Sequence, residues 1–375
     1  MPKNISYGLK VALLMGLLSF AACGTDELAR HKEKTTDRGN GRLSSSELIE
    51  VAHSENQWTG IAISKEGRIF VNFPRWSPAV TTSVAELMPT GEQKAYPYRK
   101  VNDWNPTLSP RDHFVCVQSV YIDDEDYLWI LDPANPYFRG VLEGGAKLLK
   151  VDLVTNEIVQ KIFFDSTIAP ANSYPNDVRI DTKKKVAYIT DSGSGALITV
   201  DLVTEKSRRL LANHASTKSE NIPLIIDGRQ WFRPDGSTPS VHVDGITLDH
   251  EHEYLYYQAL TGRTLYRIAT KWLLDDMITD SELGEKVEFV SRLGAADGIL
   301  MGPDNNLYLT AIEDNAIKRI TPQGVLEIVI KDPRIEWPDS FAFGPDGYIY
   351  FTISQIHLGA ARQQPYKIFK FNPML

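Results

Sequence analysis

Six polar residues recur along the chain in similar surroundings, and their side chains could together bind a small ligand. Each is followed by apolar residues at the second and fourth positions, a Gly, Asp or Ser at the fifth, and an aromatic residue at the eleventh or twelfth. Asp177 lies beside one of the six, which are Thr59, Gln118, Asn176, Asp244, Asp297 and Asp339. Three aspartates that face one another repel when ionised, so they need a cation, a ligand amine or protons between them.

Three interpretations of these positions are open. Oxygen ligands alone suit a hard cation such as calcium, and Asn176, Asp244 and Asp297 are the candidate metal ligands. Without a metal, Asp244, Asp297 and Asp339 would hold the cationic group of an organic ligand, and they are also the candidate catalytic residues. In a purely structural role, each Asp or Asn side chain would accept backbone N–H bonds where its strand begins.

Familiar catalytic signatures are missing from the sequence, which contains no G-x-S-x-G, H-E-x-x-H, P-loop or C-x-x-C motif. His242, close to Asp244, and His357 are candidate general bases. A hydrogen-bonded histidine without a catalytic role is the alternative for both.

The elements that position these residues are short strands. The period-two apolar pattern predicts a strand after each of the six residues, and segments such as "GALITVDLVTEKSRRLL" add further strands to each copy. Each copy thus contains about four strands, and the six positions are 59, 58, 68, 53 and 42 residues apart, slightly more than one propeller blade needs. We therefore predict an all-β, six-bladed β-propeller.

Ring closure follows from the chain ends. The last copy supplies only three strands, whereas "SELIEVAHS", residues 46–54, precedes the first copy and has no blade of its own. We expect it to form the outer strand of the sixth blade, which leaves no long exposed sheet edge. The stretch "TKWLLDD", residues 270–276, is the convincing helix, inside a blade.

The first strand of each propeller blade lines the central channel, so the six polar residues should surround its mouth. Residues at the ends of the second strands should open on the same face; they are Asn72, Asp132, Asp191, Gln258, Thr310 and Thr352. Long inserts carry aromatic residues that either form a wall around the mouth or pack their own loops; they are Trp104, Tyr137, Phe138, Trp231 and Phe232. An aromatic wall above carboxylates suits a cationic aromatic ligand.

Residues 1–23 are predicted to be a lipoprotein signal peptide, because Lys3 and Lys10 precede an apolar run too short to span a membrane as a mature helix. The run ends in "SFAAC", which resembles a lipobox and makes Cys23 the candidate lipidation site, with ordinary cleavage nearby as the alternative. The polar residues 24–46 are predicted to be a flexible tether, and residues 47–375 the propeller. We expect an exported lipoprotein of a bacterial cell envelope, on the periplasmic or extracellular side of a membrane.

Net charge and cysteine content limit which partners and which disulfides are expected. The formal net charge is −8 and there is no basic stripe, so nucleic acid is not an expected partner. If Cys23 carries lipid, Cys116 is the only other cysteine and no intrachain disulfide forms. Cys116 lies in the alternating run "HFVCVQSVYI", which predicts a buried, inert thiol.

The sequence of the predicted blades resembles that of the major royal jelly protein/yellow family over roughly residues 47–373. The segments that carry the resemblance include "YPNDVRIDTKKKVAYITDSGSGALITVDLV", "DGITLDHEHEYLYYQALTGRTLYRI", "ADGILMGPDNNLYLTAIEDNAIKRI" and "WPDSFAFGPDGYIYFTISQ". The resemblance implies a six-bladed propeller, secretion, and a ligand pocket at the channel mouth. Some insect members are associated with dopachrome conversion, and others bind biogenic amines. This chain differs in its lipobox and in lacking paired cysteines.

The main hypothesis is a membrane-tethered propeller that binds, and in one version isomerises, a small amine- or catechol-like molecule, as a dopachrome tautomerase does. The first alternative is a metal-dependent lactonase or other hydrolase resembling the gluconolactonase/senescence-marker family, in which a divalent cation activates water. The second alternative is a protein-binding scaffold without catalytic activity.

Overall fold

The computed structural model describes residues 43–233 and 235–375. In that part of the chain, six four-stranded antiparallel sheets follow one another, accompanied by one two-stranded hairpin and a few short helices. The first strand of each sheet contacts the first strand of the next, and that of the last sheet contacts that of the first. This closed ring confirms the predicted six-bladed β-propeller.

Blades 1 to 5 each contain four strands in chain order, from the channel outwards. The strands of blades 1 and 2 are Ile61–Ile63, Ile69–Asn72, Val84–Leu87, Gln93–Ala95, Ser119–Ile122, Tyr127–Asp132, Lys147–Asp152 and Glu157–Phe163. Those of blades 3 and 4 are Pro175–Asp181, Val186–Asp191, Ala196–Asp201, Ser207–Leu210, Val243–Leu248, Tyr254–Ala259, Thr264–Ala269 and Glu288–Arg292. Those of blade 5 are Ala296–Met301, Leu307–Ala311, Ala316–Ile320 and Leu326–Lys331.

Blade 6 is completed from both ends of the propeller chain. Its inner strands are Pro338–Phe343, Ile349–Ile353 and Tyr366–Phe371, and its outer strand is Ile49–Ser54. The outer strand runs antiparallel to Tyr366–Phe371, so the predicted closure is confirmed. The predicted signal peptide, residues 1–23, and most of the predicted tether lie outside the described residues. Leu43 is already buried in the core of blade 6, and Ser45–Glu47 forms a 3₁₀ turn.

The core lies between the blades. One cluster contains Trp129 and Leu148 of blade 2 together with Val178 and Ile189 of blade 3, all at most 1 % exposed. Because each inner strand is covered on both faces by neighbouring blades, its residues are apolar with few interruptions. Packing between blades therefore fixes where each first strand begins, and with it the direction of the channel side chains.

The inserts supply the remaining elements. The helical stretch predicted inside a blade is confirmed as Thr270–Leu273, after which Asp280–Gly284 forms a second short helix, and Arg99–Asn102 lies in blade 1 after its fourth strand. The insert between blades 3 and 4 contains the hairpin Ile225–Ile226 and Arg229–Gln230. Among the described residues, no helix is both long and apolar enough to cross a membrane.

Candidate functional site

Four of the six recurring polar residues lie in β-bulges. The pairing of the first and second strands shifts register between Pro175 and Val178, and the same shift occurs at the corresponding point of blades 4, 5 and 6. The residues inside these shifts include Asn176, Asp177, Asp244, Asp297 and Asp339. A bulge leaves one residue unpaired and redirects its side chain, which releases these polar groups from the regular pattern of the strand.

Glycine follows the polar residue where the next blade is closest. A Cβ atom on Gly245 would overlap the carbonyl oxygen of Asp297, and one on Gly298 would overlap that of Asp339. The bulges of blades 4 and 5 are therefore each packed directly against the bulge of the next blade. This contact sets the spacing of Asp244, Asp297 and Asp339.

The four aspartates form one buried acidic cluster, which we call the acidic ring: Asp177, Asp244, Asp297 and Asp339, each 3 to 8 % exposed. Burial, followed by repulsion from the other members, raises the pKa of Asp244 and of Asp339 well above the usual range. Burial raises the pKa of Asp297 to about 7, although a hydrogen bond from Trp337 opposes the increase. The ring thus binds protons that isolated carboxylates release.

Arg179 supplies a positive charge close to the acidic ring. Burial raises the pKa of Asp177, and Arg179 counteracts that increase. The Arg179 side chain starts from the first strand of blade 3, donates to the carbonyl oxygen of Ile299 in blade 5 at 3.2 Å, and lies over the Tyr121 ring at 5.3 Å. It therefore crosses between non-adjacent blades, as only a side chain that enters the central channel can.

Side-chain donors, not backbone N–H groups, satisfy the ring carboxylates. Asn176 donates to Asp244 Oδ2 at 2.6 Å, the Trp337 indole to Asp297 Oδ2 at 2.7 Å, and Ser340 to Asp339 Oδ1 at 3.1 Å. No hydrogen bond from any described backbone N–H reaches Asp244, Asp297 or Asp339. The strand-capping role considered for these aspartates is therefore absent from their geometry.

Residues at the ends of the second strands perform the structural role instead. Thr190 Oγ1 donates to the Asp244 carbonyl oxygen in the next blade and accepts from the Asp177 N–H, and Thr310 accepts from both Asp297 N and Gly298 N. Thr352 donates to the Thr59 carbonyl oxygen across the closure of the ring. These hydroxyl groups hold the bulges in place.

The other second-strand residues expected at the mouth are also fully or almost fully buried. Asp132 accepts from Val115 N and Cys116 N and pairs with buried Lys147 at 3.0 Å. Asp191 accepts from Tyr174 N and pairs with Arg209. The Asn72 side chain accepts from Gly60 N and donates to Gln118 O. The Gln258 side chain donates to Gly262 O and Gly294 O. All four fasten loops, although Gln258 Oε1 is buried without a hydrogen-bond partner among the described residues.

Thr59 and Gln118 differ from the carboxylates of the ring. Thr59 is 1 % exposed; its hydroxyl accepts from Asn72 and donates to the Gln118 carbonyl oxygen, so its hydrogen bonds are made within the blades. Gln118 Oε1 accepts from the Tyr174 hydroxyl at 3.0 Å, and that hydroxyl in turn accepts from Trp76 Nε1. Blades 1 and 2 therefore contribute neutral groups, whereas blades 3 to 6 contribute acidic ones.

Two aromatic groups adjoin these residues. In the first, Phe138 stacks between Trp76 and Tyr174, with ring centroids 5.5 and 5.2 Å away. In the second, Trp337 contacts Trp231 and His357. Of the aromatic residues expected to form a wall, Phe138 and Trp231 belong to these groups, whereas Trp104 is buried against Val115, Cys116 and Ala134, and Phe232 is 49 % exposed. No aromatic stacking partner occurs for Tyr137 within the described chain.

Sequence reasoning missed Tyr174 and Trp337, although the sequence contains a signal for both. Each lies two residues before a recurring polar residue, Tyr174 before Asn176 and Trp337 before Asp339. From that position each side chain reaches back to the polar residue of the preceding blade, Gln118 or Asp297. An aromatic residue at this offset is thus the feature that identifies such a partner.

The two candidate histidines have different surroundings. His242 Nδ1 accepts from Ser219 N at 2.9 Å, and burial followed by Lys218 lowers the pKa of His242. His357 lies parallel to Trp337 at 5.9 Å, burial lowers its pKa, and neither of its ring nitrogens has a hydrogen-bond partner among the described residues. His242 thus has the hydrogen-bonded structural role that was its alternative.

Two further observations concern metal and cysteine chemistry. Within residues 43–233 and 235–375, no group of three or more His, Cys, Asp or Glu side chains is arranged to hold a metal ion. Cys116 is fully buried, as predicted, and burial raises the pKa of its thiol to about 12. A thiol that stays protonated is a poor nucleophile.

Comparison with known families identifies the chain. The family model for major royal jelly protein matches residues 115–350, so the chain belongs to the major royal jelly protein family. The search of curated proteins gives no match.

Solved structures share the fold at low sequence identity. Virginiamycin B lyase from Staphylococcus aureus is 16 % identical, with a TM-score of 0.51 over 87 % of this chain and 98 % of the lyase. A gluconolactonase from Xanthomonas campestris is 11 % identical, with a TM-score of 0.52 over 86 % and 89 % of the two chains. Regucalcin from Agrobacterium tumefaciens, a calcium-binding protein, is 14 % identical, with a TM-score of 0.50 over 86 % and 93 %. At these identities the comparison establishes the fold alone.

Proposed function

We propose that the acidic ring binds a small organic cation, an amine or an amine-bearing catechol, at the mouth of the propeller channel. The observation that carries this proposal is the acidic ring itself: Asp244, Asp297 and Asp339 are buried, and repulsion within the ring helps to raise the pKa of Asp244 and Asp339. Carboxyl groups held together in this way gain most from a positive charge placed between them.

Electrostatics favour a cation over a neutral or anionic ligand. A ring that retains protons near neutral pH exchanges them for a ligand ammonium group, and the ion pair then forms where little water screens it. The hydrogen bonds already made leave one oxygen of Asp244 and one of Asp297 for the ligand. A cation therefore has at least two carboxylate oxygens to contact.

The neighbouring aromatic groups favour a flat ligand. Phe138 is 62 % exposed although it stacks between Trp76 and Tyr174, and an exposed aromatic face attracts both cations and planar rings. The Tyr174 hydroxyl beside it belongs to a chain of polar contacts that ends at Gln118. A catechol ring has the shape and the hydroxyl groups to match this side of the mouth.

Isomerisation is the reaction that such a ring could support. In a tautomerisation of the dopachrome type, one carboxylate removes a proton from a ring carbon and a second, protonated carboxyl delivers one to oxygen, so that no proton is gained or lost overall. Asp297, with a pKa of about 7, suits the exchanging group, since a general acid–base catalyst works best near ambient pH. Asp244 and Asp339, whose pKa values burial and repulsion raise well above the usual range, suit the protonated donor.

Calorimetric titration of the purified protein with phenethylamine and dopamine tests the proposal. We expect binding by the wild type and at least tenfold weaker binding by Asp244→Asn and Asp339→Asn, because each loses a charge that the ligand ammonium pairs with. Asp276→Asn, at a carboxylate that is 84 % exposed, is the matched control and should bind normally. Absence of binding by the wild type, or equal binding by all variants, would sink the proposal and favour the protein-binding scaffold.

The alternative is a calcium-dependent lactonase or hydrolase with Asn176, Asp244 and Asp297 as ligands. The fold shared with a gluconolactonase and with calcium-binding regucalcin favours it. Against this alternative, the Asn176 group that faces Asp244 is the amide nitrogen, a hydrogen-bond donor, and the Trp337 indole N–H already donates to Asp297 Oδ2. Stoichiometric calcium in purified protein, lost in Asp297→Ala, would select this alternative.

We also propose that the propeller is tethered to a bacterial envelope membrane through lipid on Cys23. The support is the lipobox-like "SFAAC", which lies outside the described residues, and the polar segment that follows it, most of which also does. Several acyl chains on one residue give stable anchoring. Such a tether would keep the binding site on the exported side of a membrane.

A further inference from the structure

Trp337 is held more firmly than a residue that merely fills space. Its side chain is 1 % exposed and lies between the edge-on Trp231 ring at 4.9 Å and the parallel His357 ring at 5.9 Å. Its carbonyl oxygen accepts from the backbone N–H of Ser354 at 3.0 Å. The ring therefore has little freedom to move.

The backbone of Trp337 is strained. Its φ angle is +54°, a left-handed conformation that bulky side chains rarely adopt. Such conformations persist where the surrounding contacts over-determine them, and they cluster at functional sites. Here the strain places the indole two residues before Asp339, so that it extends back to blade 5.

The indole N–H is directed at Asp297. It donates to Asp297 Oδ2 at 2.7 Å, with both groups buried, and leaves Oδ1 without a hydrogen-bond donor among the described residues. A hydrogen bond to an ionised carboxylate is roughly twice as strong as one between neutral groups. The indole thus fixes the orientation of Asp297 and partly offsets the burial that raises the pKa of Asp297.

The other ring carboxylates have donors with more rotational freedom than an indole. Asp244 accepts from the Asn176 amide, which also contacts Ser192, and Asp339 accepts from the hydroxyl of its own neighbour Ser340. A serine hydroxyl can rotate away, whereas an indole N–H cannot. Besides these two carboxylates, the titratable or charged groups around Asp297 and Trp337 are Asp177, Arg179, Asp227, Glu336 and His357.

We infer that Trp337 is a positioning residue, whose indole holds Asp297 so that the free Oδ1 of Asp297 is the atom that contacts the ligand's positive charge. The inference rests on the proposed function for the identity of the ligand, but not for the contact between Trp337 and Asp297. It assigns the primary cation contact to blade 5 and leaves Asp244 and Asp339 as secondary contacts.

Tryptophan NMR at one fixed pH tests the contact without any ligand. In the full chain labelled with ¹⁵N-tryptophan, the seven tryptophans give seven indole N–H signals, and Trp337→Phe identifies one of them by its loss. We expect that signal to lie downfield, as for a donor to a carboxylate, and to move upfield in Asp297→Asn. A signal that Asp297→Asn leaves in place overturns the inference.

Trp129 is a matched control, because its indole N–H also donates to a buried carboxylate, Asp123 Oδ2, at 2.7 Å. Adding dopamine should move the Trp337 signal and leave the Trp129 signal unchanged. Trp337→Phe keeps an aromatic ring between Trp231 and His357 but loses the donor, and we expect about tenfold weaker dopamine binding, with Trp129→Phe unaffected. Equal affinity of Trp337→Phe and wild type contradicts the inference.

The outcomes separate the two proposals. If Asp297→Asn moves the Trp337 signal but neither dopamine nor phenethylamine binds, the amine-binding function fails and the positioning of Asp297 by Trp337 stands. If the amines bind but Trp337→Phe binds them as well as wild type does, the function stands and the positioning role fails. Should Trp337→Phe not fold, the ligand-induced shift in wild type, compared with that in Asp297→Asn, gives the same answer.

Discussion

At the level of single residues, Asp297 shows how the acidic ring lowers the stability of the folded protein. Its carboxyl is buried beside other carboxyls, so its pKa is about 7, against 3.8 for a carboxyl in a solvated chain. Between these two values the folded protein binds a proton that the unfolded chain has released. The free energy of unfolding therefore falls as pH rises through this window, and above pH 7 the ionised Asp297 carboxylate opposes folding.

Removing this charge should stabilise the protein in alkaline solution. For Asp297→Asn we expect a melting temperature close to that of wild type at pH 4 and several degrees higher at pH 8, since ionising Asp297 in the fold costs roughly 4 kcal/mol there. An asparagine oxygen can still accept from Trp337, so the hydrogen bond is retained. Thermal melts of both proteins from pH 4 to 8 provide the measurement.

Asp276→Asn is the control for this experiment, because that carboxylate is 84 % exposed and should give the same small change at every pH. A difference in melting temperature between Asp297→Asn and wild type that does not grow with pH would contradict the conclusion that ionised Asp297 destabilises the folded protein.

The residues of the site were only partly predictable. Asp244, Asp297 and Asp339 could be found because a repeated strand pattern fixes their place in every copy. Trp337 and Tyr174 were harder to find, because an aromatic residue two positions earlier occurs in only two of the six copies, so the repeat does not single it out. Arg179 was missed for a different reason: its reach from blade 3 to blade 5 depends on the width of the closed channel, which no local pattern contains.

At the level of elements, the bulges and the glycines beside them position the carboxylates. Gly298 lies where a Cβ atom would overlap the Asp339 carbonyl oxygen and would come within 3.1 Å of the Ser340 Cα. Both are backbone atoms of a packed strand, so neither can rotate away. The first strands of blades 5 and 6 could accept a side chain at this point only by separating.

Gly298→Ala should therefore disturb both stability and the ring. We expect a loss of about 1 to 3 kcal/mol, typical of overpacking, and weaker amine binding because Asp339 is displaced. Ser340→Ala, at the equivalent position of blade 6, is the control for packing alone, since a Cβ atom is already accommodated there and only the hydroxyl donor to Asp339 is lost. Chemical denaturation measures the stability, and an unchanged denaturation midpoint for Gly298→Ala would contradict the proposed close packing.

Elements with a repeated pattern could be predicted, whereas those without one could not. Strands such as Ala296–Met301 and Pro338–Phe343 carry alternating apolar residues and a turn former at a fixed distance. The hairpin Ile225–Ile226 and Arg229–Gln230 has only two residues in each strand, too few for any period. Its position depends on distant contacts, among them Ile225 N with Glu313.

At the level of the whole molecule, closure of the ring joins residues that are hundreds of positions apart in the chain. The strand Ile49–Ser54 pairs with Tyr366–Phe371, and the Thr352 hydroxyl donates to the Thr59 carbonyl oxygen across the same boundary. Blade 6 carries Asp339 on its innermost strand. Loss of its outermost strand would therefore affect the acidic ring only by disturbing the three remaining strands of blade 6.

A variant that begins at Glu55 tests this dependence, with a variant that begins at Leu43 as its control. The shorter chain loses the outer strand together with buried Leu43 and Leu48, which contribute roughly 2 kcal/mol each, and it exposes a strand edge that promotes aggregation. We expect its melting temperature to fall by about 5 °C or more, whereas the control should match the full chain.

The two variants also distinguish stability from function. Below its melting temperature the shorter chain should still bind amines with an affinity within a few-fold of the control, because three strands remain between the lost strand and the channel and the contacts of Asp297 with Trp337 are untouched. Calorimetric titration at low temperature measures this affinity. If the shorter chain and the control have the same melting temperature, closure of the ring by Ile49–Ser54 contributes little to stability. If it stays folded but loses binding, the acidic ring depends on the whole circle of blades rather than on the local bulges and their donors.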